Sequence, residues 1–213
     1  MKDLVSFTLL AITSFFTIIN PLAVMPVFMT MTGDMQEEDI RKTAKKAVQV
    51  SFFTLLVFAI TGQLIFKFFA ISVNSLKIVG GILFFFMGYD MLQAKLSATK
   101  VSKETVEKQV RDISITPLAI PMITGPGAIT NAIVLMEGTE SLITKVILIF
   151  AILFVCVITY IILVNSSKIF KVLGETGNNI LMRLMGLIVM VIAVEFFFAG
   201  LRPILQSILM IQK

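Results

Sequence analysis

A chain of 213 residues, 57% apolar and only 15% charged, with a mean hydropathy of +0.98, is a membrane protein and not a soluble domain. The net charge of +5 is carried mainly in polar stretches between apolar ones, which reads as a topology signal and not as a nucleic-acid surface. There is no histidine, a single cysteine (Cys156) and no GxxxxGK[ST] stretch. Histidine metal sites, His-dependent triads, dithiol chemistry and direct ATP hydrolysis are thereby excluded, and neither an enzyme nor a cofactor is expected.

The chain is long enough for about six spans of roughly 20 residues with short loops. Span 1 is expected from Leu4 to Thr32, interrupted at Asn20-Pro21 and again at Pro26. A polar loop from Gly33 to Lys46 follows, acids first and bases last, as suits a short interfacial helix. Span 2 is expected from Ala47 to Phe69. Span 3 runs from Ser75 to Leu92 and contains Gly80, Gly81 and Gly88, small residues that let helices approach closely. Residues 93–112 form a polar connector. Span 4 carries the Pro121–Thr130 stretch, span 5 runs from Leu142 to Val164, the run Gly174–Asn179 reads as a loop, and span 6 runs from Ile180 to Leu201, ended or kinked at Arg202-Pro203.

The stretch Pro121-Met122-Ile123-Thr124-Gly125-Pro126-Gly127-Ala128 carries two prolines and two glycines, and an unbroken helix there is disfavoured. Broken backbone at membrane depth is tolerated where it is buried in protein or lines a wet cavity. Transporters use such breaks, with half-helix N-termini receiving anionic groups and loose carbonyls receiving cations. A second copy lies 105 positions earlier, where Asn20-Pro21-Leu22-Ala23 underlies Gly125-Pro126-Gly127-Ala128, Gly81 underlies Gly186 and Asp90 underlies Glu195. The chain therefore reads as two three-helix halves, residues 1–92 and 113–213, joined by the connector. Because each half has an odd number of spans, they are expected to be inverted repeats with a site at their interface near the midplane. Loops after spans 1, 3 and 5 hold 12 Lys and Arg against 6 elsewhere, which places these loops in the cytoplasm and both termini outside.

The expected site comprises Asn20 and Pro21 from the first break and Thr124, Gly125, Pro126 and Gly127 from the second, with Gly80, Gly81 and Gly186 giving clearance; Gly80-Gly81 is expected opposite the span 1 break. Asp90 and Glu195 are acids within spans, costly enough there to suggest proton coupling, Glu195 the stronger candidate. Interfacial pairing, Asp90 with Lys95 and Glu195 with Arg202, is the structural alternative.

Asn20-Pro21-Leu22 with Pro26-Val27-Phe28, the Pro117–Pro121 run and Gly125-Pro126-Gly127-Ala128-Ile129 resemble the MarC family of integral membrane proteins, from Phe7 to about Leu205. The resemblance implies six spans, kinship with the LysE superfamily of exporters, and transport of small neutral amino acids such as glycine or alanine by some members. Many members carry Asp where this chain has Asn20. The expectation is a secondary transporter of a small zwitterion in the cell membrane, proton the expected coupling ion and no nucleic acid as partner. Export of apolar drugs through a cavity lined by Met and Phe is the alternative. Substrate, direction and oligomeric state, a homo-oligomer included, stay open.

Overall fold

The computed structural model describes residues 2–33, 35–93, 113–139 and 141–209; most of the connector, residues 94–112, lies outside them. The elements are helices: α1 (Lys2–Ile19), α2 (Pro21–Thr32), α3 (Glu37–Phe68), α4 (Val73–Leu92), α5 (Ser114–Ile123) and α6 (Pro126–Glu137), then a helical run Leu142–Ile208 broken at Gly174. We call its two apolar spans α7 (Leu142–Ser166) and α8 (Thr176–Ile208). Among the described residues, α1 with α2, α3, α4, α7 and α8 are each long and apolar enough to cross a membrane. The pair α5 and α6, bent by 56°, makes a sixth crossing if taken as one.

The spans are apolar on both faces, as membrane helices are. One stripe turns inward: Ala11, Phe15 and Ile19 on α1, Ala44, Val48, Leu55 and Ala59 on α3, Leu148, Ile152, Val155 and Leu163 on α7. The opposite stripes, such as Phe53, Val57, Ile60 and Leu64 on α3, are exposed and suit contact with lipid.

Several breaks differ from expectation. The polar stretch before span 2 is the first three turns of α3 itself. Its first turn is acidic (Glu37, Glu38, Asp39), which complements the helix dipole, and Lys42 binds Glu38 at 2.8 Å on the exposed face. Helix α2 passes through Pro26 unbroken; the proline removes a donor, and Thr30 Oγ1 donates to the Pro26 carbonyl at 3.0 Å. The run Gly174–Asn179 is helical except at Gly174 (φ 64°, ψ −176°), a conformation that costs little only without a Cβ. Helix α8 continues through Pro203 to Ile208.

Helices α4 and α8 pack antiparallel along a seam of small residues. A Cβ on Gly81 would meet the Ala193 carbonyl and the Phe197 backbone. One on Gly88 would meet the Gly186 carbonyl, and one on Gly200 the Asn74 carbonyl. Gly81 and Gly88 are seven residues apart, as are Gly186, Ala193 and Gly200. A seven-residue repeat keeps one seam facing its partner over successive turns.

Candidate functional site

The first break is built around Asn20. Its backbone is left-handed (φ 46°, ψ 67°), a region that asparagine tolerates better than most residues. A residue before proline is pushed out of the right-handed helical region, and here it lands in the left-handed one. The Asn20 N–H still donates to Phe16 O at 2.9 Å, closing α1, while its carbonyl accepts from Ala23 and Val24 and its Oδ1 accepts from the Ala23 N–H at 3.3 Å. Pro21 then starts α2 at the position where its missing N–H costs least. Among the described residues, none accepts from the Asn20 amide nitrogen.

The second break has a different origin. Thr116 and Ile120 are extended (ψ 122° and 119°) inside α5, and each precedes a proline, Pro117 and Pro121, which disfavours the helical region. The widened turn ends with Ala119 O accepting both from Thr124 N, at 2.8 Å, and from Thr124 Oγ1, at 2.6 Å. Gly125 is extended (φ −66°, ψ 166°) and α6 begins at Pro126 with no side-chain cap. Ile129 N–H is the first to bond back, to Gly125 O at 3.1 Å. Among the described residues, the Gly127 and Ala128 N–H groups therefore have no acceptor. They stand at the positive end of the α6 dipole, where a carboxylate is favoured.

The two breaks lie side by side. A Cβ on Gly127 would sit 3.1 Å from Ile18 Cγ2, just before Asn20, and 2.9 Å from Phe196 Cζ; one on Gly125 would run into the Phe84 ring. Phe84 and Phe196 contact edge to face, centroids 6.4 Å apart at 63°. A cavity of about 20 Å³ opens beside them, lined among others by Asn20, Ala23, Val24, Phe84, Met91 and Met122. It has room for about one water. Two hydrogen bonds flank it: Asn131 Nδ2 to Ser14 Oγ at 3.1 Å, joining α6 to α1 before the break, and Asn178 Nδ2 to Thr30 Oγ1 at 3.4 Å, joining α8 to α2 beyond it.

Of the residues singled out from sequence, Asn20 lines this cavity, while Gly125 and Gly127 lie behind its Phe84 and Ile18 walls; Pro21 and Pro126 are not among the lining residues. Gly80 gives room to Pro126, whose Cβ would be 2.6 Å from a Cβ at Gly80; its clearance is opposite the second break and not the first. Thr124 is buried, its hydroxyl committed to Ala119 O. Gly81 and Gly186 sit in the α4–α8 seam instead. Asp90 and Glu195 are exposed on α4 and α8 and are not among the residues lining the cavity; neither forms an ion pair among the described residues, and Lys95, the expected partner of Asp90, lies outside them. Sequence reading missed Phe84 and Phe196. Their signal was a repeated pattern, Gly81-x-x-Phe-Phe-Phe-x-Gly88 and Ala193-x-x-Phe-Phe-Phe-x-Gly200, which places one phenylalanine of each triplet over the start of α6.

Residues 5–205 match the model of a family described as MarC family integral membrane protein. A UPF0056 membrane protein of Pyrococcus horikoshii is 38% identical over 202 residues, covering 95% of this chain and 98% of its own. The UPF0056 membrane protein YvbG of Bacillus subtilis is 37% identical over 210 residues, covering 95% and 99%. A UPF0056 membrane protein of Buchnera aphidicola is 35% identical over 195 residues, covering 90% of each. No solved structure matches.

Proposed function

The chain belongs to the MarC family of integral membrane proteins, and from that premise we propose that it is a secondary transporter of small neutral amino acids, of the glycine and alanine class, working by alternating access in the cell membrane. The observation that carries this reading is the side-by-side placement of two helix interruptions, the first lining a small cavity and the second lying against its Phe84 and Ile18 walls. Free backbone donors at the start of α6 suit a carboxylate. The Asn20 side chain lines the cavity, and its Oδ1 can be shared with an ammonium group. A cavity this small, with Phe84 in its wall, favours a ligand of few atoms over a bulky apolar drug. It corresponds to an occluded state that must widen on binding.

In this reading the two halves are inverted repeats. The antiparallel pairing of α4 and α8, with the same Phe-Phe-Phe-x-Gly pattern on each, supports that relation, although the pattern recurs at 112 positions and not 105. The repeat in α8 is thus displaced by one heptad. The flanking bonds Asn131–Ser14 and Asn178–Thr30 then serve as outer and inner closures, broken alternately. Coupling is to protons, with Glu195 or Asp90 as carrier; since both are exposed, they act at the bundle surface and not as ligands in the cavity. Both termini are outside.

The test is counterflow in proteoliposomes. Vesicles loaded with unlabelled glycine or alanine should concentrate the labelled compound transiently, and an imposed pH gradient should drive net accumulation. Absence of exchange for every small neutral amino acid, alongside exchange of an apolar drug by the same vesicles, would overturn the assignment.

A further inference from the structure

A groove of about 430 Å³ runs along the outside of the bundle between α3 and α7, remote from the cavity at Asn20. On α3 its wall is Lys45, Gln49, Phe52 and Phe53, and on α7 it is Val157 and Tyr160 among others. The spacings are helical: successive turns of two antiparallel helices face each other. The groove has a polar end and an apolar end. Lys45, Gln49 and Tyr160 are together at the end near the start of α3, and the two phenylalanines and Val157 continue toward the middle of the span. A second outer groove, about 240 Å³ between α4 and α8, is lined by Gly81, Phe85, Phe86, Phe197 and other apolar residues, with no polar side chain. The α3–α7 groove therefore differs from an ordinary lipid-facing furrow in ending at a cation.

Among the described residues, Lys45 has no carboxylate partner. The acids of α3 end at Asp39, where Asp39 and Glu38 are engaged with Lys42, and α7 contains neither Asp nor Glu. Lys45 lies eight residues into α3, about 12 Å along its axis at 1.5 Å per residue. It stands two residues before Ala47, where span 2 is expected to begin, on the side where the basic loops concentrate. A long lysine stem can lie along the apolar wall while its charge reaches the interface.

We propose that this groove is a binding site for an anionic phospholipid. The phosphate pairs with the Lys45 ammonium and takes hydrogen bonds from the Tyr160 hydroxyl and the Gln49 amide, and one acyl chain lies over Phe52, Phe53 and Val157. The inference does not depend on what the protein transports.

The experiment titrates purified protein in neutral detergent with phosphatidylglycerol or phosphatidylcholine of identical chains. Melting temperature and lipid retained in native mass spectrometry are both read. A lysine near an anionic surface contributes about 1 kcal/mol, a factor of about five in affinity. Phosphatidylglycerol is expected to stabilise at roughly five-fold lower concentration than phosphatidylcholine. Lys45→Gln should abolish that preference and Lys45→Arg should keep it. Lys67→Gln, at the other end of α3, should leave it unchanged. Phe53→Ala, at an exposed position whose ring meets that of Phe52 edge to face, should weaken both lipids without altering their ratio. Equal stabilisation by the two lipids in the wild type overturns the site. So does a preference that survives Lys45→Gln, or one lost equally in Lys67→Gln.

Discussion

Replacing Gly186 by alanine tests the reading of the α4–α8 seam. The added Cβ would lie 2.7 Å from Gly88 O, 2.8 Å from Leu92 N and 2.9 Å from Met91 Cβ. Two of the three are backbone atoms of the facing helix, so no flexible side chain can swing aside. The helices must separate by several tenths of an ångström along a packed seam. Overpacking of this kind costs about 1–3 kcal/mol. For a chain of this size that is about 2–4 °C of melting temperature per kcal/mol, hence a fall of roughly 2–12 °C. Gly88→Ala should behave alike, since its Cβ would meet Gly186 O at 2.7 Å. The control is Gly138→Ala, whose Cβ would find nothing closer than 3.6 Å at a right-handed backbone position. Loss of unfolded-state freedom should stabilise it by about 0.4–1 kcal/mol. The single cysteine supplies the assay. Cys156 is 1% exposed and reacts with a fluorogenic thiol dye when the bundle opens, so dye fluorescence against temperature reports unfolding. If Gly186→Ala and Gly88→Ala melt with the wild type, the two helices are not in backbone contact and the seam is wrong.

Four further outcomes follow from the site and the topology. Asn20→Gly keeps access to the left-handed backbone and should cost only a few tenths of a kcal/mol, yet it should lose substrate-induced thermal stabilisation; full retention of that shift would remove the side chain from binding. Asn20→Ala should melt lower by the cap, about 1 kcal/mol, plus about 1–2 kcal/mol of left-handed strain. In proteoliposomes Glu195→Gln should abolish accumulation under a pH gradient while leaving exchange, and survival of accumulation in both Glu195→Gln and Asp90→Asn would move coupling elsewhere. A cysteine at Ser97 in a Cys156→Ala background should react with an impermeant reagent only after the membrane is opened; labelling in intact cells would reverse the orientation.

The class of the fold was legible because hydropathy and length report directly on burial in lipid. The breaks were legible for the same local reason that creates them: proline and glycine restrict or free the backbone whatever surrounds them, and Asn20-Pro21 and Gly125-Pro126 lie where the chain leaves helical geometry. Proline alone was a poor guide, however. Pro26 and Pro203 stay inside helices; at Pro26, where most of α2 is buried, packing offsets the missing donor. Which glycine faces what was not legible. Gly80 and Gly81 are adjacent in sequence but point to different neighbours, because a helix turns by about 100° per residue. The aromatic cover was missed because phenylalanine is abundant here, 19 residues, and many of them are exposed; only the tertiary fold distinguishes Phe84 from Phe85 and Phe86.

The α4–α8 seam has a mechanical consequence. Two helices joined backbone to backbone, with no side chain between them at Gly88 and Gly186, have little compliance and behave as one stiff beam. The shorter segments α2 and α6 hang from single interrupted residues and are tied across by one side-chain bond each, Thr30–Asn178 and Ser14–Asn131. In the proposed transport cycle, movement is therefore expected in α2 and α6, which begin at the interrupted residues, and not in bending of the frame. Amide hydrogen exchange should reveal that division, slowest along α4 and the facing part of α8 and faster in α2 and α6; uniform protection across all four would show that the bundle deforms as a whole.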